Sequence, residues 1–297
     1  MSGPFDAAFP APAKINRFLH VTGRRADGYH ELQTVFQFVG LADSLRFEPL
    51  ERGRIEMAAG AVDGADNLCL RAARALADAS GAPLGVRVHL DKRIPIGGGL
   101  GGGSSDAATT LVALNHLFGL GLSEDDLATL GLDLGADVPV FVRGRAAWAE
   151  GVGDRLVSVE PDLAWLLLVD PGVSVATAAM FGAAELTRDC PAETISPEID
   201  AARFRNVFEP LVRRQYPSIG EALDWMGGQT KRARLSGTGG CIFGMFPSES
   251  AARQAQSAQP VSWQSWVTPL TNVSPLRQWL PRGAAGGEGA EQEAIGP

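Results

Sequence analysis

A glycine run in the middle of the chain constrains the fold most, since six of the seven residues from 97 to 103 are glycine. The segment before it, residues 86–90, alternates apolar and polar side chains as a β-strand does. After it, residues 104–118 carry apolar side chains at helical spacing, with Ser104 or Ser105 as the predicted N-cap. Glycines let backbone N–H groups converge on a ligand, and the N-terminus of the next helix adds partial positive charge. The sequence therefore predicts a strand, a phosphate-binding loop and a helix.

Three other interpretations of this loop fit the sequence less well. A flexible Gly/Ser linker is not normally placed between an alternating strand and an amphipathic helix. A dinucleotide-binding fold needs a second strand that ends in an acidic residue about 20 residues later, where this sequence has a helix-like segment. A Walker A loop needs a lysine after its last glycine, and Ser104 stands there instead. We therefore expect a phosphate loop that relies on backbone amides and hydroxyl groups.

Composition excludes several classes of protein. A net charge of −8 argues against a general nucleic-acid or anionic-membrane surface. No apolar run approaches the roughly 18 residues of a membrane span, and the N-terminus lacks the features of a signal peptide. The three cysteines are far apart and form no C-x-x-C pair, which disfavours disulfides and zinc and fits a reducing compartment. We expect a cytoplasmic protein with a small-molecule substrate, without a nucleic-acid or membrane partner, and monomeric or weakly dimeric.

The remaining chain is predicted to alternate short strands and helices. Residues 13–18, 34–38, 44–47, 138–142 and 146–148 are predicted as strands. One helix is expected from an N-cap at Asp66 to Ser80, and another after Ser123, where Asp126 completes a near capping box. Of the three lysines, Lys92 and Lys231 are attributed to composition alone, while Lys14 is singled out as a candidate site residue.

Three motifs together give a specific resemblance. PAKIN near the N-terminus, PIGGGLGGGSSDAA in the middle and RLSGTGGCIFGMF late in the chain resemble the motifs of the GHMP kinases. Longer strings, PAKINRFLHVTGRRADGYHELQTVFQ, LGADVPVFVRGRAAWAEGVGD and PGVSVAT, are similar to the 4-diphosphocytidyl-2-C-methyl-D-erythritol kinase family within that superfamily. The resemblance extends from about residue 12 to residue 276. It implies ATP-dependent phosphorylation of a 2-hydroxyl in the non-mevalonate isoprenoid pathway, with Mg²⁺ as the partner of ATP.

The resemblance also implies an architecture. The expected fold is α+β, with the two-domain GHMP kinase arrangement and the active site between the domains. Residues 1–165 would form an N-terminal ATP-binding and catalytic domain that resembles the second domain of ribosomal protein S5. Residues 166–281 would form a ferredoxin-like domain, and residues 282–297 a disordered tail of low complexity.

Site roles are carried over to the residues that match the motifs. The resemblance implies that Lys14 and Asp137 are catalytic and that Asn16, Tyr29 and His30 bind substrate, the last two at the cytosine ring. The late GTGG segment would pack beside the phosphate loop. No protein ligand for Mg²⁺ is indicated. The residues expected to bind ATP are Asn67, Pro95, Ile96, Gly97, Gly98, Gly99, Leu100, Gly101, Gly102, Gly103, Ser104 and Ser105.

Rival functions remain open at this point. Another GHMP kinase, acting on homoserine or mevalonate, is disfavoured because the DGYH and LGADVPVF strings belong to the cytidyl-substrate family. A decarboxylase acting on diphosphomevalonate is a more distant alternative. A non-catalytic nucleotide-binding protein of the same fold is expected to lack the lysine or the aspartate, whereas Lys14 and Asp137 are both present.

Overall fold

A computed structural model of the protein describes residues 4–59, 66–195 and 205–280. The predicted disordered tail, residues 282–297, lies outside these ranges. The strands within them are β1 (Phe9–Arg24), β2 (His30–Pro49), β3 (Ile55–Met57), β4 (Val86–Asp91), β5 (Ala147–Glu150), β6 (Arg155–Ser158), β7 (Trp165–Asp170), β8 (Ala233–Leu235), β9 (Ile242–Phe246) and β10 (Gln264–Thr271). The helices are α1 (Leu68–Ser80), α2 (Gly102–Leu117), α3 (Glu124–Leu134), α4 (Val138–Arg143), α5 (Thr177–Gly182), α6 (Glu209–Gln215), α7 (Pro217–Gln229) and α8 (Glu249–Ser257).

A long hairpin of β1 and β2 organises the sheet. The two strands pair antiparallel from Arg24–His30 at the turn to Phe9–Leu45 at the far end. The predicted strands at 34–38 and 44–47 are therefore parts of one strand, because Gly40 between them continues the extended backbone. β2 also pairs with β4 and β5, and at Val39 it pairs with β10. β10 continues the sheet into β7, β9 and β8.

The described residues form four hydrophobic core clusters along this hairpin, two of them larger than the others. The first packs α1, α2, α3 and α4 against apolar residues of β1, β2 and β4. The second packs α5, α6, α7 and α8 against β7 and β9. The cores are interlocked, since Leu19 and Val21 of β1 belong to the second core and Leu276, late in the chain, belongs to the first. The domain boundary expected near residue 165 stays a prediction.

Residues 138–142 form helix α4, so the predicted strand is wrong. All five side chains are buried, and a short apolar run buried on every side has no periodicity that separates strand from helix. Pro139 lies in the first turn, where its fixed φ favours a helix, and Gly144 ends the helix with φ 61°. Asp137 consequently precedes the first turn of a helix and not the first residue of a strand.

Two predicted helix starts also need correction. The N-cap of α1 is Asn67, whose side chain accepts from the backbone N–H of Cys69, and not Asp66. Helix α2 begins at Gly102 after Gly101, so neither Ser104 nor Ser105 is its N-cap. The capping box of α3 is confirmed, because Ser123 and Asp126 bond to each other's backbone N–H groups.

Candidate active site

A cleft of about 750 Å³ opens between the glycine loop and the β1–β2 hairpin. Its wall includes residues from both halves of the chain, among them Thr177, Gly237 and Thr238. Three of the predicted site residues, Ser105, Tyr29 and His30, are not in this wall as the structure describes it. The predicted site residues that do line it are Lys14, Asn16, Asn67, Pro95, Ile96, Gly97, Gly98, Gly99, Leu100, Gly101, Gly102, Gly103, Ser104 and Asp137.

Lys14 and Asp137 form an ion pair in the cleft, with Lys14 Nζ 3.2 Å from Asp137 Oδ2. The lysine side chain is 4% exposed and the aspartate side chain 32%, so the carboxylate is the member of the pair open to a ligand. Lys14 Nζ also donates to Asn16 Oδ1 at 2.6 Å and lies 5.0 Å from the centre of the Phe36 ring. The ammonium is thereby held in one place with a carboxylate beside it, an arrangement suited to a reacting hydroxyl group.

Strand alternation positions the polar residues of β1. Lys14 and Asn16 are two residues apart and project to the same face, as the sequence predicted. Asn16 in turn donates to Thr34 Oγ1 on β2 at 2.9 Å. Both Lys14 and Asn16 are buried, and the Asn16–Thr34 bond ties the site to the hairpin.

The glycine loop has a backbone that few other residues could adopt. Gly97, Gly99 and Gly101 have φ values of 73°, 74° and 71°, in the left-handed region. A Cβ on Gly101 would also lie 2.9 Å from the Phe141 ring and 3.0 Å from Lys14 Cε. The loop leads into the N-terminus of α2, whose free N–H groups and dipole favour an anion. These residues fit the phosphate groups of a nucleotide.

The GTGG segment, Gly237 to Gly240, packs beside the loop as predicted. Ser236 Oγ donates to the carbonyl oxygen of Gly99 at 2.9 Å. The backbone N–H of Cys241 donates to the carbonyl oxygen of Gly98 at 3.0 Å. A Cβ on Gly240 would lie 2.5 Å from the carbonyl oxygen of Gly97. The second half of the chain therefore fixes the shape of the loop carried by the first half.

Ser105 and Asn67 make structural contacts at the edge of the cleft. Ser105 is fully buried and its hydroxyl donates to the carbonyl oxygen of Pro12 at 2.7 Å, so it fixes α2 to β1. Asn67 caps α1 and also lines the cleft. Its role in nucleotide binding stays a prediction, while its role as a cap is observed.

Tyr29 and His30 lie at the tip of the hairpin. Tyr29 is 65% exposed, whereas His30 is buried and its ring centre lies 5.2 Å from that of Phe181. Phe181 lines the cleft, so His30 contacts a residue of the cleft wall without lining the cleft itself. Burial first, and then the positive charges of Arg188 and Arg24, lower the pKa of His30. Both effects favour the neutral form of the ring.

Lys92, attributed to composition at first, lines the cleft and lies between two buried carboxylates. Its Nζ lies 2.5 Å from Asp43 Oδ2 and 2.8 Å from Asp106 Oδ2. Burial alone would lower the pKa of Lys92, but the two carboxylates outweigh it and raise that pKa. Burial raises the pKa of Asp106 to about 7, although Lys92 opposes the shift. A lysine that lies 14 and 49 residues from its two partners gives no local signal in the sequence.

Comparisons with known proteins decide the family. Residues 67–145 match the family described as GHMP kinases N terminal domain, and residues 186–259 match GHMP kinases C terminal. A 4-diphosphocytidyl-2-C-methyl-D-erythritol kinase of Halorhodospira halophila is 53% identical over 286 residues, which cover 95% of this chain and 99% of that protein. The same kinase of Pseudomonas paraeruginosa is 52% identical, over 92% of this chain and 97% of that protein.

The chain belongs to the 4-diphosphocytidyl-2-C-methyl-D-erythritol kinase family. A crystal structure of a 4-(cytidine 5'-diphospho)-2C-methyl-D-erythritol kinase superposes with a TM-score of 0.77 at 35% identity, over 89% of this chain and 99% of that one. The α+β GHMP kinase fold expected from the motifs is confirmed. The protein is accordingly a small-molecule kinase of a family that uses ATP.

Two further comparisons with expectation concern metals and membranes. In the described ranges, no group of three or more His, Cys, Asp or Glu side chains is placed to hold a metal ion. Three carboxylates line the cleft separately, those of Asp66, Asp106 and Asp137. Among the same residues, no helix is both long enough and apolar enough to span a membrane.

Proposed function

We propose that this kinase transfers the γ-phosphoryl group of ATP to the 2-hydroxyl of 4-diphosphocytidyl-2-C-methyl-D-erythritol, producing the 2-phosphate and ADP. One observation carries the mechanism: the Lys14–Asp137 ion pair stands in the same cleft as the glycine loop. Phosphoryl transfer requires mainly positioning and charge stabilisation, and both are provided here.

Asp137 is the proposed base. Its carboxylate accepts the proton of the 2-hydroxyl, or orients that hydroxyl. The hydroxyl oxygen attacks the γ-phosphorus, and the bond from that phosphorus to the β–γ bridging oxygen breaks, so that ADP leaves. Lys14 lies 3.2 Å away and stabilises negative charge on the attacking oxygen. Asn16, which bonds Lys14, contacts the substrate on the same face of β1.

The glycine loop is the proposed phosphate site. Backbone N–H groups of residues 97–103 and the N-terminus of α2 face the β- and γ-phosphates, with Ser104 and Ser105 continuing the helix. Asn67, Pro95 and Ile96 border the nucleotide, and Tyr29 and His30 hold the cytosine ring at the opposite end.

Mg²⁺ is proposed to enter with ATP. Magnesium is usually held by substrate phosphates and one or two carboxylates, which agrees with the scattered carboxylates of this cleft. Bound there, it would neutralise charge on the phosphates during transfer. Asp106 forms an ion pair with Lys92, and Asp137 forms one with Lys14. Each of these carboxylates would therefore share its negative charge between a lysine and the metal ion.

The cellular setting is also part of the proposal. We propose a cytoplasmic enzyme with no nucleic-acid or membrane partner, acting as a monomer or weak homodimer. A net charge of −8 and three buried free thiols support this setting. Light scattering after size exclusion measures the oligomeric state directly.

The deciding experiment measures ADP release with ATP, Mg²⁺ and the cytidyl-erythritol diphosphate. The intact protein is compared with Asp137→Ala and with Asp133→Ala, an aspartate at the end of α3. We expect turnover that requires the cytidyl group, survives in Asp133→Ala and is lost in Asp137→Ala. Turnover retained by Asp137→Ala refutes the assigned base, and no turnover by intact protein refutes the substrate.

A further inference from the structure

Arg188, in the segment after α5, uses its guanidinium group to hold four acceptors. Its Nε donates to His30 Nε2 at 3.0 Å, and its Nη1 donates to the carbonyl oxygen of Leu186 at 3.0 Å. Its Nη2 donates to the carbonyl oxygens of Phe181 at 2.9 Å and of Ala183 at 2.7 Å. One side chain thus folds residues 181–188 around itself and ties them to the first residue of β2.

The bond from Arg188 to His30 fixes where the imidazole carries its proton. Arginine is always protonated and has no acceptor, so His30 Nε2 must present a lone pair to it. A ring with a lone pair on Nε2 is neutral and carries its hydrogen on Nδ1. Nδ1–H is then the donor that the ring offers to a ligand.

The surroundings of His30 favour this neutral form. Two cations act on the ring: Arg188 from the segment after α5, and Arg24, its register partner on β1. Phe181 packs on one side, with Phe208 behind it at 4.9 Å between ring centres. Burial and two like charges disfavour an imidazolium.

We propose that Arg188 is a positioning residue for the pyrimidine end of the substrate: it keeps His30 neutral with its hydrogen on Nδ1, and it holds Phe181 at the wall of the cleft. A neutral ring with a fixed donor recognises a ring nitrogen or carbonyl oxygen of a pyrimidine base. This inference rests on the proposed function, because it takes the ligand at this end of the cleft to be a cytidyl group.

The first test observes the tautomer directly and needs no activity. In ¹⁵N-labelled protein at pH 7.5, long-range ¹H–¹⁵N correlation spectra distinguish an Nδ1–H ring from an Nε2–H ring, and His30→Gln assigns the signal. We expect Nδ1–H in the intact protein and a loss of that preference in Arg188→Met. Arg213→Met is the control, since Arg213, like Arg188, donates to a backbone carbonyl, that of Gly220; its other acceptor is the Asp224 carboxylate.

The second test uses the pH dependence of substrate affinity. Without Arg188, His30 should gain a proton more readily, and a histidine of ordinary pKa loses about tenfold of its neutral form between pH 7.5 and 5.5. We expect KM for the cytidyl substrate, at saturating ATP, to rise more steeply over this interval in Arg188→Met than in the intact protein or Arg213→Met. KM for ATP should change equally in all three.

These readouts separate the two proposals. An Nε2–H or doubly protonated ring in the intact protein at pH 7.5 overturns the role of Arg188. The role of Arg188 is also overturned if the ratio of KM at pH 5.5 to KM at pH 7.5 is the same in the intact protein and in Arg188→Met. Arg188→Lys keeps the charge and one donor, so its ratio should lie between those of the other two proteins. If the intact protein does not turn over the cytidyl substrate, the proposed function fails, whereas the tautomer still reports on Arg188.

Discussion

The backbone N–H of Lys14 donates to the carbonyl oxygen of Leu100, 3.0 Å away. Strand β1, which carries the proposed catalytic lysine, is therefore bonded directly to the loop proposed to hold ATP. Ser105 adds a second bond from α2 to Pro12 on the same strand. These two bonds hold the backbone of β1 at Lys14 against the glycine loop and α2.

Replacing Lys14 by methionine should lower kcat by roughly 10²- to 10³-fold, the range typical for loss of one group that stabilises negative charge in the transition state. The double variant Lys14→Met/Asp137→Ala should lose little more than the worse single variant, because paired groups act as a unit. Steady-state ADP release measures both effects. Lys231→Met, at an exposed lysine, is the control, and simple multiplication of the two single losses would contradict the coupled pair.

Replacing Gly99 by alanine should destabilise the protein and raise KM for ATP. The residue has φ 74°, and a Cβ there would collide with the carbonyl oxygen of Ser236, so the expected cost is at least about 1 kcal/mol. Gly228→Ala is the matched control, since Gly228 lies in α7 with no atom within 4 Å of an added Cβ. That variant should gain roughly 0.5–1 kcal/mol. Thermal unfolding and ATP kinetics give the comparison; an unchanged Tm for Gly99→Ala would show that the loop is not constrained as described.

Replacing Asp106 by asparagine should move the difference in stability between variant and intact protein in favour of the variant as pH rises from 5 to 8. Burial raises the pKa of Asp106 from 3.8 to about 7, so the folded state keeps a proton that the unfolded chain has lost. Stability from this group is therefore full below pH 3.8 and is lost as pH rises through about 7.

Tm of intact protein and of Asp106→Asn, recorded across this pH range, tests that sign. The difference in Tm, variant minus intact, should grow with pH, because asparagine cannot ionise. Asp78→Asn, on the exposed face of α1, serves as the control. A difference that stays constant or shrinks with rising pH contradicts the assignment.

Replacing Asn67 by alanine should cost about 1 kcal/mol of stability through loss of the α1 cap. Ser248→Ala removes an equivalent cap from α8, far from the cleft, and should cost a similar amount. A rise in KM for ATP in Asn67→Ala alone would support its nucleotide role. Equal KM values in the two variants would leave Asn67 with its capping role only.

Local signals in the sequence predict the elements that depend on near neighbours. The strand–glycine–helix unit at 86–118 and the Ser123–Asp126 capping box rest on spacing within one segment, and both are observed. The five apolar residues at the start of α4 are buried on all sides, so their pattern does not separate a helix from a strand. Pro139 favours a helix start, but only where other evidence already indicates a helix. Periodicity needs an exposed face, and this segment has none.

Side-chain contacts between segments far apart in the chain could not be predicted from the sequence. The Asp43–Lys92–Asp106 cluster joins β2, the end of β4 and α2, and the Arg188–His30 bond spans 158 positions. Such pairs depend on how β2 runs through the whole sheet, which no local pattern encodes. Lys14 and Asp137 were found through motif resemblance, and their 3.2 Å separation comes from the structure alone.

The interlocked cores limit how this protein can be divided or recombined. Leu19 and Val21 complete the interior of the later half, and Leu276 completes that of the earlier half. A fragment cut near residue 165 would expose apolar surface that its missing counterpart normally covers. In chimeras that exchange halves between relatives, the β1–β2 hairpin and the segment around Leu276 must therefore come from the same protein as the cores in which they pack. Heating should unfold both halves of the intact protein in a single transition.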